Sequence, residues 1–410
     1  MRSCRVSKVC RPIFYSRHGK TCVTDDKQSI EAKGEHWDFE VDTELPDSVG
    51  DDEEETTRAD LLERRAGDQQ WTATVGGLGG SSPTVVDGLV YLGGDNDSVY
   101  ALDATTGEEE WAFETGDFVE SAPSVVDGGV YVGSDDGCVY GLDAKTGNKY
   151  WAYQTGGFVE SSPTVADESV YVGSGDGSVY ALSAPLGNKI WSVPTGAAIH
   201  SSPTVVSGTL YIGSDDGCVY ALSASSGDER WTFQTDGAVR SSPTVADDSV
   251  FVGSGDGNIY AIDAKWGEKQ WQHTTEDVVH SSPTVAERKL FIGGDDGTVY
   301  ALDIGSGDRV WSFDTDGRVW SSPTVAGDLV FVGSNDGYLY ALDIDTGRRR
   351  WMVDTGDWVD TAPTVVSETV FVVSDDGTVY ALGAGVEGAS IGSRVNLGTL
   401  GHHGGWTGGE

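Results

Sequence analysis

The chain has 410 residues, of which 66 are acidic and 26 are basic, so its formal net charge at pH 7 is -40. Such an excess of carboxylates argues against a nucleic-acid phosphate backbone or an anionic membrane surface as the partner. The acidic residues are spread along the whole chain, which favours a solubility adaptation over a dedicated cation-binding role.

Residues 1–66 precede a repeating region and change from a basic start to the acidic run Asp51–Glu55. Low hydrophobicity with blocks of like charge predicts a disordered arm. The arm lacks the apolar core of a secretory signal, and no apolar run in the chain is long enough to span a bilayer. The absence of an export signal predicts a cytoplasmic location.

The cysteines suit neither a disulfide framework nor a zinc site, because their number is odd and none form a CxxC pair. They are Cys4, Cys10, Cys22, Cys138 and Cys218. Cys138 and Cys218 occupy the same position in two repeats, where other repeats carry Ser, Thr, Asn or Tyr. They are therefore interpreted as residues that flank a turn.

From residue 67 onward the sequence repeats with a step of 40 residues, and each repeat contains one tryptophan at a fixed position. These tryptophans are Trp71, Trp111, Trp151, Trp191, Trp231, Trp271, Trp311 and Trp351. Four short runs rich in Val, Tyr and Phe alternate with turn residues, a pattern typical of an antiparallel β-meander. The second and third runs are apolar on both faces, which requires a sheet that is covered on both sides. We therefore predict an all-β, eight-bladed β-propeller of four-stranded antiparallel blades over residues 67–384.

The two ends of the array are complementary. The first repeated element, Gly67–Trp71, has the sequence of a fourth strand, whereas the last repeat lacks one. The N-terminal strand is predicted to complete the last blade and close the ring, which removes the open sheet edges of a linear stack. The glycine-rich segment 385–410 is predicted to be a flexible tail, and its pair His402–His403 leaves a metal-binding role as the alternative.

The segment Gly133–Trp151 resembles the PQQ-like repeat, which is found in quinoprotein dehydrogenases and in the non-enzymatic BamB lipoprotein of outer-membrane assembly. The resemblance covers the whole array, and the step from Gly147 to Trp151 is similar to the tryptophan-docking motif of that family. A tryptophan here is large enough to lie between the outer strands of adjacent blades and bond its indole N–H to the backbone. We expect eight such contacts. The acidic composition resembles that of haloarchaeal proteins.

One position varies from repeat to repeat while its neighbours stay nearly constant, and it is the residue before each Ser-Ser-Pro or its equivalent. Because the first strand of a propeller blade is the innermost, these side chains are expected around the mouth of the central channel. The series runs Gly80, Glu120, Glu160, His200, Arg240, His280, Trp320 and Asp360. It predicts an acidic arc of Asp360, Glu120 and Glu160 and a neutral-to-basic arc of His200, Arg240 and His280, with Trp320 and Trp358 at the boundary and Phe118 and Phe158 across from them. A ligand site and drift at an exposed loop position are both compatible with this variation.

The same face carries Asp-Asp-Gly hairpins such as Asp135–Gly137 and Asp215–Gly217. A calcium loop needs six or more converging oxygens, and a hairpin with two carboxylates supplies too few. Asp-Gly is also a common signal for a hairpin turn. The hairpins are therefore interpreted as turns, and no metal site is assigned.

Two functions from different classes fit the sequence. The first is a monomeric, non-catalytic binding module or scaffold that presents its hairpin face and channel mouth to a protein or small ligand, without a cofactor. The alternative is a quinoprotein dehydrogenase that uses PQQ and calcium. Enzymes of that family carry insertions between blades, a vicinal Cys-Cys pair and an Asp base, and none of these can be matched in the uniform repeats. Binding is therefore favoured, although the family resemblance makes an extracytoplasmic location the alternative to the cytoplasm.

Overall fold

The structure, a computed structural model, describes residues 65–76 and 81–392 of the chain. These residues form eight antiparallel sheets, and the innermost strand of each sheet contacts that of the next until the eighth meets the first. The predicted eight-bladed, all-β propeller is confirmed. No helix that could cross a membrane occurs within the described ranges. The predictions for residues 1–64, for Gly80 and for His402–His403 lie outside the described residues.

Each blade has four strands, named A to D from the channel outward, and the blades are numbered 1 to 8 in the order of their A strands. The D strands are β5 (Glu109–Glu114), β9 (Lys149–Gln154), β13 (Lys189–Pro194), β17 (Glu229–Gln234), β21 (Lys269–Thr274), β25 (Arg309–Asp314), β29 (Arg349–Asp354) and, in blade 8, β1 (Gln69–Thr74). The A strands are β2 (Thr84–Val86), β6 (Ser124–Val126), β10 (Thr164–Ala166), β14 (Thr204–Val206), β18 (Thr244–Ala246), β22 (Thr284–Ala286), β26 (Thr324–Ala326) and β30 (Thr364–Val366).

The B and C strands form the centre of each blade. The B strands are β3 (Leu89–Gly94), β7 (Gly129–Gly133), β11 (Ser169–Gly173), β15 (Thr209–Gly213), β19 (Ser249–Gly253), β23 (Lys289–Gly293), β27 (Leu329–Gly333) and β31 (Thr369–Val373). The C strands are β4 (Ser98–Asp103), β8 (Cys138–Asp143), β12 (Ser178–Ser183), β16 (Cys218–Ser223), β20 (Asn258–Asp263), β24 (Thr298–Asp303), β28 (Tyr338–Asp343) and β32 (Thr378–Gly383).

The core lies between the blades because the B and C strands are apolar on both faces. Val90 and Val99, on neighbouring strands of blade 1, are completely buried. A strand can be buried on both faces only when its sheet is stacked between two others. The outer strands instead alternate, and in β5 the buried Trp111 lies between the exposed Glu110 and Ala112. A strand that is apolar on both faces is therefore covered by a sheet on each side, whereas a strand that alternates between apolar and polar residues is covered on one side.

The ring is closed by the first and last parts of the array. β1 pairs antiparallel with β32 and so completes blade 8, as the sequence predicted. The backbone N–H of Gly67 also donates to the carbonyl of Gly383 at 2.8 Å. Beside the channel, Oγ1 of Thr364 donates to the carbonyl of Pro83 at 2.7 Å, the same bond that links other neighbouring blades. The junction between blades 8 and 1 therefore uses the same hydroxyl-to-carbonyl bond as six of the other junctions.

The repeated tryptophans pack against the next blade. Trp111, for example, donates its indole N–H to the carbonyl of Ala144 at 3.0 Å, and a Cβ added to Gly147 would lie 2.6 Å from its Cε3 atom. Equivalent N–H bonds are made by Trp71, Trp151, Trp191, Trp231, Trp271 and Trp311. The eighth, Trp351, packs beside Gly67, and its buried N–H has no hydrogen-bond partner among the described residues. Seven of the eight expected bonds are thus present, and each turn glycine receives the tryptophan of the preceding blade.

A fifth strand joins blade 7 inside the channel. β33 (Ile391–Gly392) pairs antiparallel with β26, with Gly392 opposite Thr324. It lies on the channel side, because the other edge of β26 pairs with β27. Immediately before it, the backbone N–H of Ser390 donates to the carbonyl of Val365 at 2.8 Å. The sequence, with its high glycine content after residue 385, gave no indication of this strand.

Candidate binding site at the channel mouth

One face of the ring carries the loops between D and A strands together with the hairpins between B and C strands. In blade 2 the hairpin residue Asp135 donates its backbone N–H to the carbonyl of Phe118 at 2.9 Å, and Gly116 donates to Oδ2 of Asp136 at 2.8 Å. We call the channel opening on this face the mouth. It comprises the variable residues Glu120, Glu160, His200, Arg240, His280, Trp320 and Asp360 and the hairpin residues Asp95, Asp135, Asp215, Asp295 and Asp375.

The aspartate at the second hairpin position has a structural role in six of the eight blades, where it accepts the hydroxyl of a tyrosine on the C strand. In blade 3, Asp176 accepts the backbone N–H of Ser178 at 2.8 Å and the hydroxyl of Tyr180 at 2.6 Å. Burial would raise the pKa of Asp176, but these hydrogen bonds outweigh it and lower the pKa. This carboxylate is therefore ionised and fixes the turn. The interpretation of the hairpins as turns accounts for this aspartate but not for the first one, whose side chain contacts other residues of the mouth.

In blade 4 the first hairpin aspartate is paired with two basic residues. Arg240 donates from Nε and Nη2 to the two carboxylate oxygens of Asp215, at 3.0 and 2.9 Å. His200 lies between two acids, with Nδ1 at 2.5 Å from Oε2 of Glu160 and Nε2 at 3.4 Å from Oδ2 of Asp215. The hydrogen bond to Glu160 raises the pKa of His200, although burial opposes the shift. His200 and Arg240, two residues of the predicted neutral-to-basic arc, are thus paired with the carboxylates of Glu160 and Asp215.

Blade 6 has a similar arrangement around Asp295, whose side chain is only 6% exposed. Its Oδ1 atom accepts the indole N–H of Trp320 at 2.9 Å and lies 3.1 Å from Nδ1 of His280. The Nε atom of Arg318 is 3.9 Å from Oδ2. Burial alone would raise the pKa of Asp295, but the hydrogen bonds with His280 and Trp320 outweigh burial, so the pKa lies below its ordinary value. The net effect is a buried, ionised carboxylate that orients a histidine and a tryptophan.

The opposite side of the mouth is an acidic arc made of Asp360, Asp375, Asp95, Glu120, Asp135 and Glu160. Within the described ranges, only Glu160 of these six contacts a basic side chain. Burial and then the neighbouring carboxylates raise the pKa of Glu120 to about 7 and that of Asp135 to about 6. Burial also raises the pKa of the adjacent pair Asp360 and Asp375, and the charge of Asp360 acts further on Asp375. Buried Oδ1 atoms of Asp95 and Asp135 have no hydrogen-bond partner in the described part of the chain.

Aromatic side chains flank the acidic arc. Trp358 and Phe118 are 47% and 44% exposed, which is unusual for side chains of this size. Trp320 lies edge-on to Trp358, with their ring centroids 6.3 Å apart, between the acidic and the paired sectors. Phe158 lies against His200 at 5.2 Å. Accessible aromatic faces beside carboxylates form the kind of surface that binds organic cations.

Sequence reasoning missed the first hairpin residues as members of the site. The series is Asp95, Asp135, Gly175, Asp215, Gly255, Asp295, Asn335 and Asp375. It varies between blades just as the predicted mouth position does, and this variation is the signal that identifies it. The signal was hidden because a single turn explanation covered both the first and the second position of the hairpins.

The fold and its repeats define a β-propeller of the PQQ-like class. A family model described as "Outer membrane protein assembly factor BamB" matches residues 56–197 and 295–385, which is more than half of the chain, and the chain belongs to this family. A model described as "Beta-alanine-activating enzyme, beta-propeller" matches residues 142–328. No curated protein sequence matches the chain significantly.

Solved structures with the same fold include proteins of different kinds. BamB from Moraxella catarrhalis superposes with a TM-score of 0.68 at 19% identity, over 77% of this chain and 99% of that one. The computationally designed Ika8 protein has a TM-score of 0.68 at 20% identity, over 76% of this chain and 98% of its own. Quinohemoprotein alcohol dehydrogenase from Comamonas testosteroni also reaches 0.68, at 17% identity, over 80% of this chain and 78% of its own. Identities this low establish the fold alone.

Proposed function

We propose that this protein is a non-catalytic binding module whose mouth binds a protein or small ligand that carries positive charge beside an apolar group. The observation behind this proposal is the contrast between the two sides of the mouth. Asp215 and Asp295 are paired with basic side chains, whereas Glu120 and Asp135 have raised pKa values and no such partner among the described residues. A cation would relieve the repulsion among these carboxylates.

The acidic arc would bind the positive charge of such a ligand, and the paired sector around Asp215 would orient it. Attraction between the acidic arc and a cation is stronger in a half-buried site than in bulk water. The exposed rings of Trp358 and Phe118 can add cation–π and apolar contacts, each of about 0.5–2 kcal/mol. The paired sector around Asp215 is held by a bidentate arginine and so offers fixed groups that orient the ligand. Lysine or arginine side chains of a partner protein, or a small organic amine, have the required chemistry.

We propose further that this binding uses neither PQQ nor calcium. Cys138 and Cys218 lie in blades 2 and 4, and their thiols contact Gln154 and Gln234, so they cannot form a vicinal pair. Within the described residues, no three His, Cys, Asp or Glu side chains are arranged to hold a metal ion. These residues do not fit the cofactor of the quinoprotein enzymes, and we derive no reaction step through it.

The proposal is tested by isothermal titration calorimetry of the full chain with the cationic peptide acetyl-Lys-Phe-Lys-amide. We expect binding that weakens at least about tenfold, equal to 1.4 kcal/mol, in the double variant Glu120→Gln, Asp135→Asn. The matched control is Glu108→Gln, Glu109→Gln, which removes two charges from the outer strand and the turn on the opposite face. Absence of binding to the wild type, or equal weakening in both double variants, would overturn the proposal.

A separate assay addresses the dehydrogenase alternative. The full chain is mixed with PQQ and calcium, its absorbance spectrum is recorded, and dye-linked oxidation of alcohols is measured. We expect no spectral change and no PQQ-dependent turnover. Turnover that requires added PQQ would replace the binding proposal with the enzymatic one.

A further inference from the structure

One junction of the ring lacks polar contacts that the other junctions share. At seven junctions the threonine or serine that begins an A strand donates its hydroxyl to the proline carbonyl of the next blade. Thr284, for example, donates to Pro323 at 2.6 Å. Between blades 7 and 8 the described residues include no such bond, although Thr324 and Pro363 occupy the equivalent positions.

Two further repeated bonds are missing at the same junction. The residue before each repeated proline donates its backbone N–H to a serine hydroxyl of the next blade, as Ser282 does to Ser322 at 3.0 Å. Blade 8 has Ala362 at this position and so offers Ser322 no hydroxyl. The indole N–H of Trp351, which faces blade 8, is the one without a partner in the described ranges. The junction between blades 1 and 2, with Ala122, lacks only the serine bond.

Apolar packing remains between blades 7 and 8. Phe331 and Ala341 of blade 7 and Leu382 of blade 8 belong to one core cluster and are completely buried. Beside it, Ser321 donates its hydroxyl to the carbonyl of Thr361 at 2.8 Å. Each buried hydrogen bond contributes to stability, so the junction that lacks three of them separates at the lowest free-energy cost.

The segment 386–392, which we call the strap, bridges these two blades. Val386 lies against Gly327 of blade 7, where a Cβ added to the glycine would be 3.1 Å from that of Val386. Ser390 exchanges two hydrogen bonds with Val365 of blade 8, because its N–H donates to the carbonyl at 2.8 Å and its Oγ accepts the N–H of Val365 at 3.3 Å. β33 then pairs with β26 of blade 7. The strap therefore crosses the junction repeatedly and replaces the missing bonds.

The strap and the covalent link between the two blades lie on opposite faces of the ring. The loop 355–363 joins β29 of blade 7 to β30 of blade 8 on the face of the mouth. Gly327, which Val386 contacts, is in the turn between β26 and β27, at the other end of these strands. Separation of the blades therefore has to pivot about the loop and begin on the face that the strap holds.

We propose that the junction between blades 7 and 8 is a gate in the ring, with the loop 355–363 as its hinge and the strap as the element that keeps it closed. Release of the strap frees the edge of β26 and lets blade 8 swing outward while β1 stays paired with β32. Opening exposes apolar side chains, so only a small fraction of molecules is open. The hinge contains Asp360, so the gate also moves one wall of the mouth. The inference does not rest on the ligand proposed for the mouth.

Thiol labelling of the full chain measures opening at individual junctions. Ala341→Cys places a thiol in the core between blades 7 and 8, and Ala301→Cys places one at the equivalent position between blades 6 and 7. Both alanines are completely buried. We expect a maleimide to react at least about tenfold faster with Ala341→Cys, and peptide mass spectrometry separates this label from that on the natural cysteines. Melting curves verify that both variants fold, and equal labelling rates would overturn the gate.

The role of the strap is tested in the same assay with Ser390→Pro, which removes both hydrogen bonds to Val365. Labelling of Ala341→Cys should become at least about tenfold faster in this background, whereas Ala301→Cys should keep its rate. Unchanged labelling of Ala341→Cys would show that the strap does not hold the gate. An equal acceleration at both positions would show a general loss of stability and would also overturn the proposal.

The gate can also be repaired. Ala362→Ser supplies the hydroxyl acceptor that Ser322 lacks, at a position where six other blades carry serine. We expect it to slow the labelling of Ala341→Cys by roughly fivefold, the contribution of one buried hydrogen bond. The matched control Ala122→Ser supplies the same hydroxyl between blades 1 and 2 and should leave that rate unchanged. Equal slowing by both serines, or by neither, would contradict the assignment of the gate to this junction.

Discussion

Trp71 lies against Gly107, and this contact joins the last blade of the ring to the first. A Cβ added to Gly107 would come within 2.5 Å of Cε3 of Trp71, and the indole N–H bonds to the carbonyl of Ala104 at 3.0 Å. Gly107 also has a φ of +75°. The glycine is therefore required both for its backbone conformation and for the approach of the indole ring.

Gly107→Ala should destabilise the protein more than Gly88→Ala. Gly88 has a similar φ of +81°, but nothing lies within 4 Å of an added Cβ there. Both substitutions incur the cost of an alanine in the left-handed region, about 1–2 kcal/mol, and Gly107→Ala adds a steric cost of roughly 1–3 kcal/mol. Chemical denaturation measures the difference, and equal losses in the two variants would contradict the docking role of Gly107.

Trp231→Ala should lower the free energy of unfolding by about 3–5 kcal/mol, because a large buried side chain is replaced by a cavity. Trp231 is 9% exposed and donates to the carbonyl of Ala264 at 3.0 Å. Trp266→Ala is the matched control, since that side chain is 65% exposed in a turn. Thermal and chemical denaturation of both variants provide the measurement. An unchanged melting curve for Trp231→Ala would show that the inter-blade tryptophans do not support the ring.

The fold could be predicted because the same pattern of strands and turns recurs in eight repeats of the sequence. Apolar runs on both faces of the B and C strands imply stacked sheets, and the unpaired D-type strand Gly67–Trp71 implies closure by the N-terminal strand. In a single repeat, the short apolar runs could be read as either helix or strand. Repetition at a constant step removed that ambiguity, since each blade has to satisfy the same packing.

The site was only partly predictable, because its members meet across blades. The variation at the position of Glu120 and His200 was visible in the sequence, but the ion pair between Arg240 and Asp215 joins residues of blades 5 and 4. No local pattern specifies such a contact. β33 was missed for a related reason: its pairing depends on the free edge that β26 presents to the channel.

The Glu160→Gln substitution should return the pKa of His200 toward its ordinary value of 6.5. The charged carboxylate of Glu160 holds a proton on His200 through their 2.5 Å contact, and an amide cannot provide this charge. NMR titration of the imidazole measures the shift. The control Glu229→Gln, on outer strand β17, should leave the titration of His200 as it is in the wild type. If the Glu160→Gln variant titrated like the wild type, Glu160 would not be the group that raises the pKa.

The Glu120→Gln substitution should stabilise the protein at pH 8. Glu120 has a pKa of about 7 in the folded chain against an ordinary value of 4.5, so between these values the folded state binds more protons than the unfolded state. Stability therefore falls as the pH rises through this window, because the charged form is disfavoured in the folded mouth. Glutamine is neutral at every pH and removes the penalty, so we expect a melting temperature higher by roughly 2 °C at pH 8.

The same substitution should have progressively less effect as the pH is lowered toward 4.5, because Glu120 of the wild type is then protonated in the folded protein. Melting temperatures of both proteins between pH 4.5 and pH 8 measure this convergence, and Glu108→Gln controls for the loss of one negative charge elsewhere. A constant difference across the range would indicate a packing effect of glutamine. A lower melting temperature at pH 8 would mean that the charge of Glu120 is stabilised in the mouth, contrary to the repulsion inferred from its neighbours.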